Sequence, residues 1–106
     1  MAATLLLAAA FALAGVDSSS AAYWHECGSQ PNPGAGWYDV KAHGIRCGKA
    51  RRVARLYTAE IFAGYQDPSP DGFACERNRV GSELARVACR RVEDGRVQKV
   101  RFTYGA

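Results

Sequence analysis

Cys27, Cys47, Cys75 and Cys89 are the residues of this chain best equipped for chemistry, and their spacing decides which chemistry is open to them. A zinc site draws its thiolates from closely spaced pairs, whereas successive cysteines here lie 20, 28 and 14 residues apart. The histidines, His25 and His43, add no second ligand cluster, so neither metal nor cofactor is expected. A catalytic thiol needs an unpaired cysteine beside a base, while an even count in an exported chain points to two structural disulfides. No nucleophile elbow, phosphate-cradling glycine loop, zinc-protease helix or calcium loop occurs. His43, Glu60 and Arg55 are the one set that could serve as acid, base and phosphate clamp of a small secreted nuclease. That would require His43 and Glu60 to converge in a cleft. His43 comes at the end of a strand beside Gly44, where an ordinary loop histidine is the simpler expectation, and His25 is expected to be solvated. The chain is therefore read as a non-enzyme without catalytic residues.

The cysteines presuppose an oxidising compartment, and the N-terminus points to one. Residues 4–15 carry no charge, polar residues follow, and Ser20, Ala21 and Ala22 place small side chains where a signal peptidase cuts. The apolar run is short for a permanent membrane span. The expected organisation is a signal peptide at 1–22 and one small secreted domain at 23–106, with no transmembrane segment in the mature chain. The n-region lacks Lys and Arg, which suggests that the true start lies further upstream. Removing the leader removes Asp17 alone among charged residues, which raises the formal charge from +4 to +5. Eleven of the 14 cations are arginine, which stays charged at any relevant pH. So small a domain buries a modest core and needs staples.

Turn chemistry chooses among the three possible connectivities. "LARVACRRV" and "VQKVRFTYG" flank Glu93-Asp94-Gly95-Arg96, and Asp-Gly is a strong hairpin signal. With Asp94 and Gly95 as turn residues, Cys89 faces Val100, Val87 faces Phe102 and Ala85 faces Tyr104, all on one face. A preceding hairpin centred on Ser82 sets Cys75 opposite Cys89, within disulfide reach. That register aims Arg77 inward, which predicts a short pairing or a bulge. By elimination Cys27 pairs with Cys47.

Ala50, Val53, Ala54, Tyr57 and Ile61 follow helical spacing and form one apolar stripe, with Lys49, Arg51, Arg52, Arg55 and Glu60 off it. Gly64 and "QDPSP" end that helix. Before it, "WYDVKAHG" alternates Tyr38, Val40 and Ala42 against polar neighbours, as a strand does. The expected fold class is α+β: strand, helix and three strands, one helix packed on a small mainly antiparallel sheet with two disulfides.

"AGWYDVKAHGIRCGKARRVAR", "GFACERNRVGSELARVACRR" and "VRFTYGA" together resemble a group of small exported disulfide-containing proteins of high-GC actinobacteria. The shared features are Cys27-Gly28 near the mature N-terminus, a strand, a cysteine at a helix start followed by Ala and Arg-Val, and a cysteine-bearing C-terminal hairpin. The resemblance covers most of the mature chain and implies the same fold and the Cys27–Cys47 bridge. Its motifs are structural, and no active site comes with it. Many of the group carry a serine before the helix-start cysteine, where this chain has Arg46, a poorer N-cap.

The arginines carry the functional expectation. On the outer sheet face, opposite Cys89, the register displays Arg86, Arg90, Lys99 and Arg101, with Arg90 directly across from Lys99. A like-charge pair so placed opposes folding unless a partner neutralises it. An anionic polymer or envelope surface is the matching partner: cell-wall polymer, phospholipid headgroups or nucleic acid. No aromatic interleaves with the cations on those strands, so base stacking is not expected there. The competing explanation is that GC-rich coding favours arginine on solvated faces. A different class of function is an inhibitor or protein-binding module for an extracellular enzyme, using "SQPNPGAGW" with Trp37, or "GYQDPSPDG". An open sheet edge leaves the oligomeric state undecided.

Overall fold

Residues 23–105, the part of the chain that the computed structural model describes, hold five antiparallel strands, one α-helix and a 3-10 turn at Pro70–Gly72. The expected signal peptide, residues 1–22, lies outside the described residues. The strands are β1 (His25–Gly28), β2 (Gly36–His43), β3 (Ala74–Arg79), β4 (Leu84–Glu93) and β5 (Arg96–Gly105), and the helix α1 is Cys47–Phe62. They form a single sheet in the order β1-β2-β5-β4-β3, with α1 laid across β2, β5 and β1 on one side. The fold is α+β, with one strand more than the pattern announced. β1 has four residues and no alternation to betray it.

The two hairpins follow their turns. Asp94 and Gly95 adopt φ of 53° and 75°, the left-handed pair that a type I′ turn requires. Cys89 accordingly pairs with Val100, Val87 with Phe102 and Arg90 with Lys99. β3 pairs with β4 along all six of its residues, Cys75 opposite Cys89 and Arg77 opposite Val87. No bulge or shortening relieves the inward-facing Arg77. Its guanidinium lies beside the hydroxyls of Tyr57 and Tyr104 instead.

A bulge does occur in β2, between Tyr38 and Lys41. Asp39 takes a φ of 53° there, and its amide donates to Ser29 Oγ at 3.0 Å. The extra residue shifts the alternation by one. Trp37 turns into the core in place of Tyr38, whose hydroxyl donates instead to the Gly34 carbonyl. The expected inward Tyr38 is thus corrected to Trp37.

The stripe of α1 packs as its spacing predicts: Ala50, Val53, Ala54 and Tyr57 are buried, and Ile61 is partly so. They meet Val40, Ala42, Val87, Val100 and Phe102 of the sheet, with Phe73 closing one end. Thr58 is also buried, and it escapes desolvation by donating to the Ala54 carbonyl at 2.8 Å. Arg46 stands at the N-cap without a side-chain cap bond. At the other end Gly64 has a φ of 100°, and the amides of Gly64 and Tyr65 reach the Ile61 and Glu60 carbonyls, each at 3.0 Å. That is a Schellman stop.

Both bridges form as expected, Cys27–Cys47 and Cys75–Cys89. They close chain separations of 20 and 14 residues, and each contributes about 3 kcal/mol through the unfolded chain.

Candidate anion-binding face

The face of the sheet turned away from α1 is built by strict alternation. Residues 99 and 101 of β5, and 86 and 90 of β4, point opposite to Val100, Phe102, Val87 and Cys89. Lys99, Arg101, Arg86 and Arg90 therefore share one surface. The register across β2, β5, β4 and β3 arranges them in rows. His43 adjoins Lys99, Arg90 and Ala74 in one row; Lys41 adjoins Arg101, Ala88 and Glu76 in the next; Tyr38 adjoins Thr103, Arg86 and Asn78 in the third.

Besides Tyr38 and His43, Lys41 and Trp24 join this face, where the sequence pattern did not place them. Lys41 enters because β2 pairs with β5, a pairing between strands separated by the whole helix and two hairpin strands. Trp24, just before β1, lays its indole over the Arg101 guanidinium, 4.3 Å from ring centre to Cζ, and lies 5.4 Å from the His43 ring. The expectation that no aromatic accompanies the cations is thereby overturned. Its signal lies in the N-terminal segment, outside β4 and β5. Ala88, small and central, leaves shallow depressions on either side of Arg101, walled by Glu76, Arg86, Arg90 and Lys99.

Unpaired cations are concentrated on this face. Some of those elsewhere are engaged. Lys49 Nζ and Arg52 Nε lie 3.1 Å and 3.0 Å from Asp71 Oδ2, and Arg91 reaches Glu93 at 3.2 Å. Arg51 donates to the Cys27 carbonyl at 3.2 Å, and Arg91 stacks on Phe73 at 4.7 Å while donating to the Asp71 carbonyl at 2.9 Å. The Lys49 hydrogen bond and the Arg52 pair hold Asp71 below the usual carboxylate range. The helix arginines expected on a solvated face are therefore partly structural. Among the described residues, Lys41, Arg86, Arg90, Lys99 and Arg101 take part in no ion pair. The acids nearest them are Asp39 and Glu76, which line the depressions beside Arg101, and Glu26, which pairs with Lys41 across β1 and β2.

The chain matches no protein-family model, no curated protein and no solved structure.

The nuclease constellation does not assemble. His43 lies on the outer face at the end of β2, near where α1 begins. Glu60 stands 13 residues along a helix on the opposite face, about 20 Å further at the α-helical rise. A buried atom of each, His43 Nδ1 and Glu60 Oε1, has no partner, but the two cannot act on one substrate. His25 sits with the Cys27 and Cys47 sulfurs, its ligand atom within 4.8 Å of both. The disulfide consumes both sulfurs, so the trio offers no thiolate pair to a metal. Trp37 is a core residue and no anchor. Its loop is folded on itself by Gln30, whose amide donates to the Asn32 and Ala35 carbonyls at 2.7 Å and 3.0 Å.

Proposed function

We propose that this is an exported, disulfide-stapled binding module that holds an anionic polymer at the cell envelope or outside the cell, on the outer face of its sheet. The observation that carries the reading is the clustering of charge: five cations share one face of the sheet, and among the described residues none of them forms an ion pair. Arg90 and Lys99, held directly opposite one another, repel until a ligand lies across them. A polyanion bound there releases its condensed counterions, so affinity falls steeply with salt. Trp24 gives the face a flat apolar edge beside Arg101, suited to a sugar ring or base carried on the polymer. The disulfides and the leader-like N-terminus support a site of action outside the cytoplasm, and among the described residues no helix is long and apolar enough to cross a membrane.

The test is a titration of the disulfide-bonded protein with inorganic polyphosphate, single-stranded DNA and anionic lipid vesicles, followed by Trp24 fluorescence. Trp37, buried, serves as a constant background. Binding should perturb Trp24 and weaken as salt rises. Absence of binding at low salt to every polyanion, or binding indifferent to salt, would remove the reading.

A further inference from the structure

The inner face of the sheet is not fully covered. Beyond the last turn of α1, the inner side of the β3–β4 hairpin stays open, and three depressions meet there with Arg77 common to all of them. Their walls come from the loop after the helix, Tyr65 to Pro68, and from the hairpin. Arg77 and Arg79 are two residues apart on β3 and so point to the same inner side. Neither forms an ion pair among the described residues. The phenols beside Arg77 do not neutralise it, because burial holds Tyr57 in its protonated form, its pKa raised. Asp67, Glu76 and Glu83 are the acids lining the depressions. Tyr65 and Leu84 stand exposed around the same opening, and exposed Phe62 packs edge-on against Tyr104 in its wall. Exposed aromatics beside unpaired arginine are the composition of protein interfaces.

The backbone of β3 supplies the second half of the argument. Among the described residues β3 pairs with β4 alone and is an edge of the sheet. The Val80 amide donates to the Leu84 carbonyl at 3.0 Å, which marks the even-numbered residues of this hairpin as its hydrogen-bonded pairs. Cys75, Arg77 and Arg79 then occupy the alternate pairs, whose amides and carbonyls point away from β4. The Cα separation of 4.0 Å between Cys75 and Cys89 fits that narrower spacing. The free edge thus presents three amides and three carbonyls, on Cys75 and on the two arginines whose side chains face the groove. β1, the opposite edge, is four residues long and interrupted by a bulge, the usual way of blunting an edge. β3 is regular throughout.

The geometry points to an extended acidic segment of a partner protein that adds to β3 as a further strand, its alternate carboxylates meeting Arg77 and Arg79 in the groove. Strand addition supplies the backbone bonds and the side-chain alternation supplies the selectivity. A second copy of this chain is the poorer occupant. An antiparallel pairing of two β3 strands about a two-fold axis sets Arg77 and Arg79 of one against Cys75, Arg77 and Arg79 of the other, with no acid on the inner face of either strand to relieve them. The site is distinct from the outer cationic face and does not depend on it.

Three peptides test this on the disulfide-bonded protein: one alternating Glu with Val, one alternating Lys with Val, and the Glu-Val peptide N-methylated on the amides that would face β3. The Glu-Val peptide should bind and slow amide hydrogen exchange at Cys75, Arg77 and Arg79. The Lys-Val peptide should not bind, and N-methylation should cost about tenfold or more. Arg77→Gln with Arg79→Gln should weaken the Glu-Val peptide by about tenfold, with retained melting behaviour showing that the fold survives. Arg90→Gln with Lys99→Gln should leave this binding unchanged, so loss of the outer-face function and loss of this site are separately visible. Equal binding of the N-methylated peptide, protection appearing at Arg90 and Lys99 instead, or a β3-mediated dimer in the free protein would each overturn the assignment.

Discussion

Replacing Arg90 and Lys99 together by Gln probes the outer face where it is most unfavourable. The two side chains are directly opposed on adjacent strands, and neither has an ion-pair partner among the described residues. A bound polyanion loses about 0.7–0.9 in the slope of log affinity against log salt for each cation it meets. Two cations therefore change the slope by about 1.6, which is roughly 40-fold in affinity at 0.1 M salt. The free protein should respond in the opposite sense. Relieving an opposed like-charge pair stabilises the sheet by about 0.2–1 kcal/mol, and the gain should fade as salt screens the charges. The control removes the same charge from Arg46 and Arg55, both exposed; Arg51 and Arg52 are unsuitable because they bond Cys27 and Asp71. Polyphosphate titrations across a salt series, with chemical denaturation of the free proteins, measure both effects. If the control pair loses as much affinity as the sheet pair, net charge alone accounts for binding and the face is a solvated surface.

Other substitutions test the fold on which this face depends. Val53→Asp places an unpaired carboxylate on a fully buried stripe, a cost of several kcal/mol, and should abolish cooperative thermal unfolding. Arg52→Asp sets a second carboxylate against Asp71 in place of a cation at 3.0 Å and should lower stability by about 1 kcal/mol, measured by denaturant midpoint. Because its cations lower the folded-state pKa of Asp71, its contribution is present above the unfolded carboxylate pKa, about 4, and lost as pH falls through the lower folded value. Asp71→Asn should therefore destabilise at pH 7, by up to about 1 kcal/mol, and match the parent in strong acid. Gly44→Ala forces a side chain onto a φ of 76°, with its Cβ 2.6 Å from the Val97 carbonyl oxygen, and should cost at least 1–2 kcal/mol; a smaller change in melting would mean that the β2–α1 turn is free to move.

What was legible in the sequence was local or set by turn chemistry. Asp94-Gly95 specified a left-handed turn, and from it the register of β4 with β5 and the four outer cations followed. The helix stripe was read from spacing, and the inward Thr58 escaped because its hydroxyl is satisfied within its own helix. The misses are long-range or irregular. The bulge at Asp39 exchanges Tyr38 for Trp37 in the core, and nothing in "WYDV" distinguishes the two phases. Trp24 and Lys41 reach the outer face only through the β1–β2 and β2–β5 pairings, which no turn dictates. Arg77 looked like an argument against the β3–β4 pairing because the hydroxyls of Tyr57 and Tyr104 beside it come from two other elements.

The position of the Cys75–Cys89 bridge joins these observations. Among the described residues β3 is held to the sheet by β4 alone. Four of its six residues carry charge or an amide, so burial does little to keep it in place. The bridge fastens β3 where its inner row meets the core, between Phe73 and the inward arginines. It fixes the phase of the strand, and the phase decides everything about its two sides. Arg77 and Arg79 are held toward the groove, and Glu76 and Asn78 toward the cationic face. A slip of one residue would exchange those sets, placing arginines beside Arg86 and Arg90 and a carboxylate over the phenols. A strand with so little apolar surface has no packing preference strong enough to prevent that slip. The covalent link does so, which is why a staple at this edge serves both surfaces of so small a sheet.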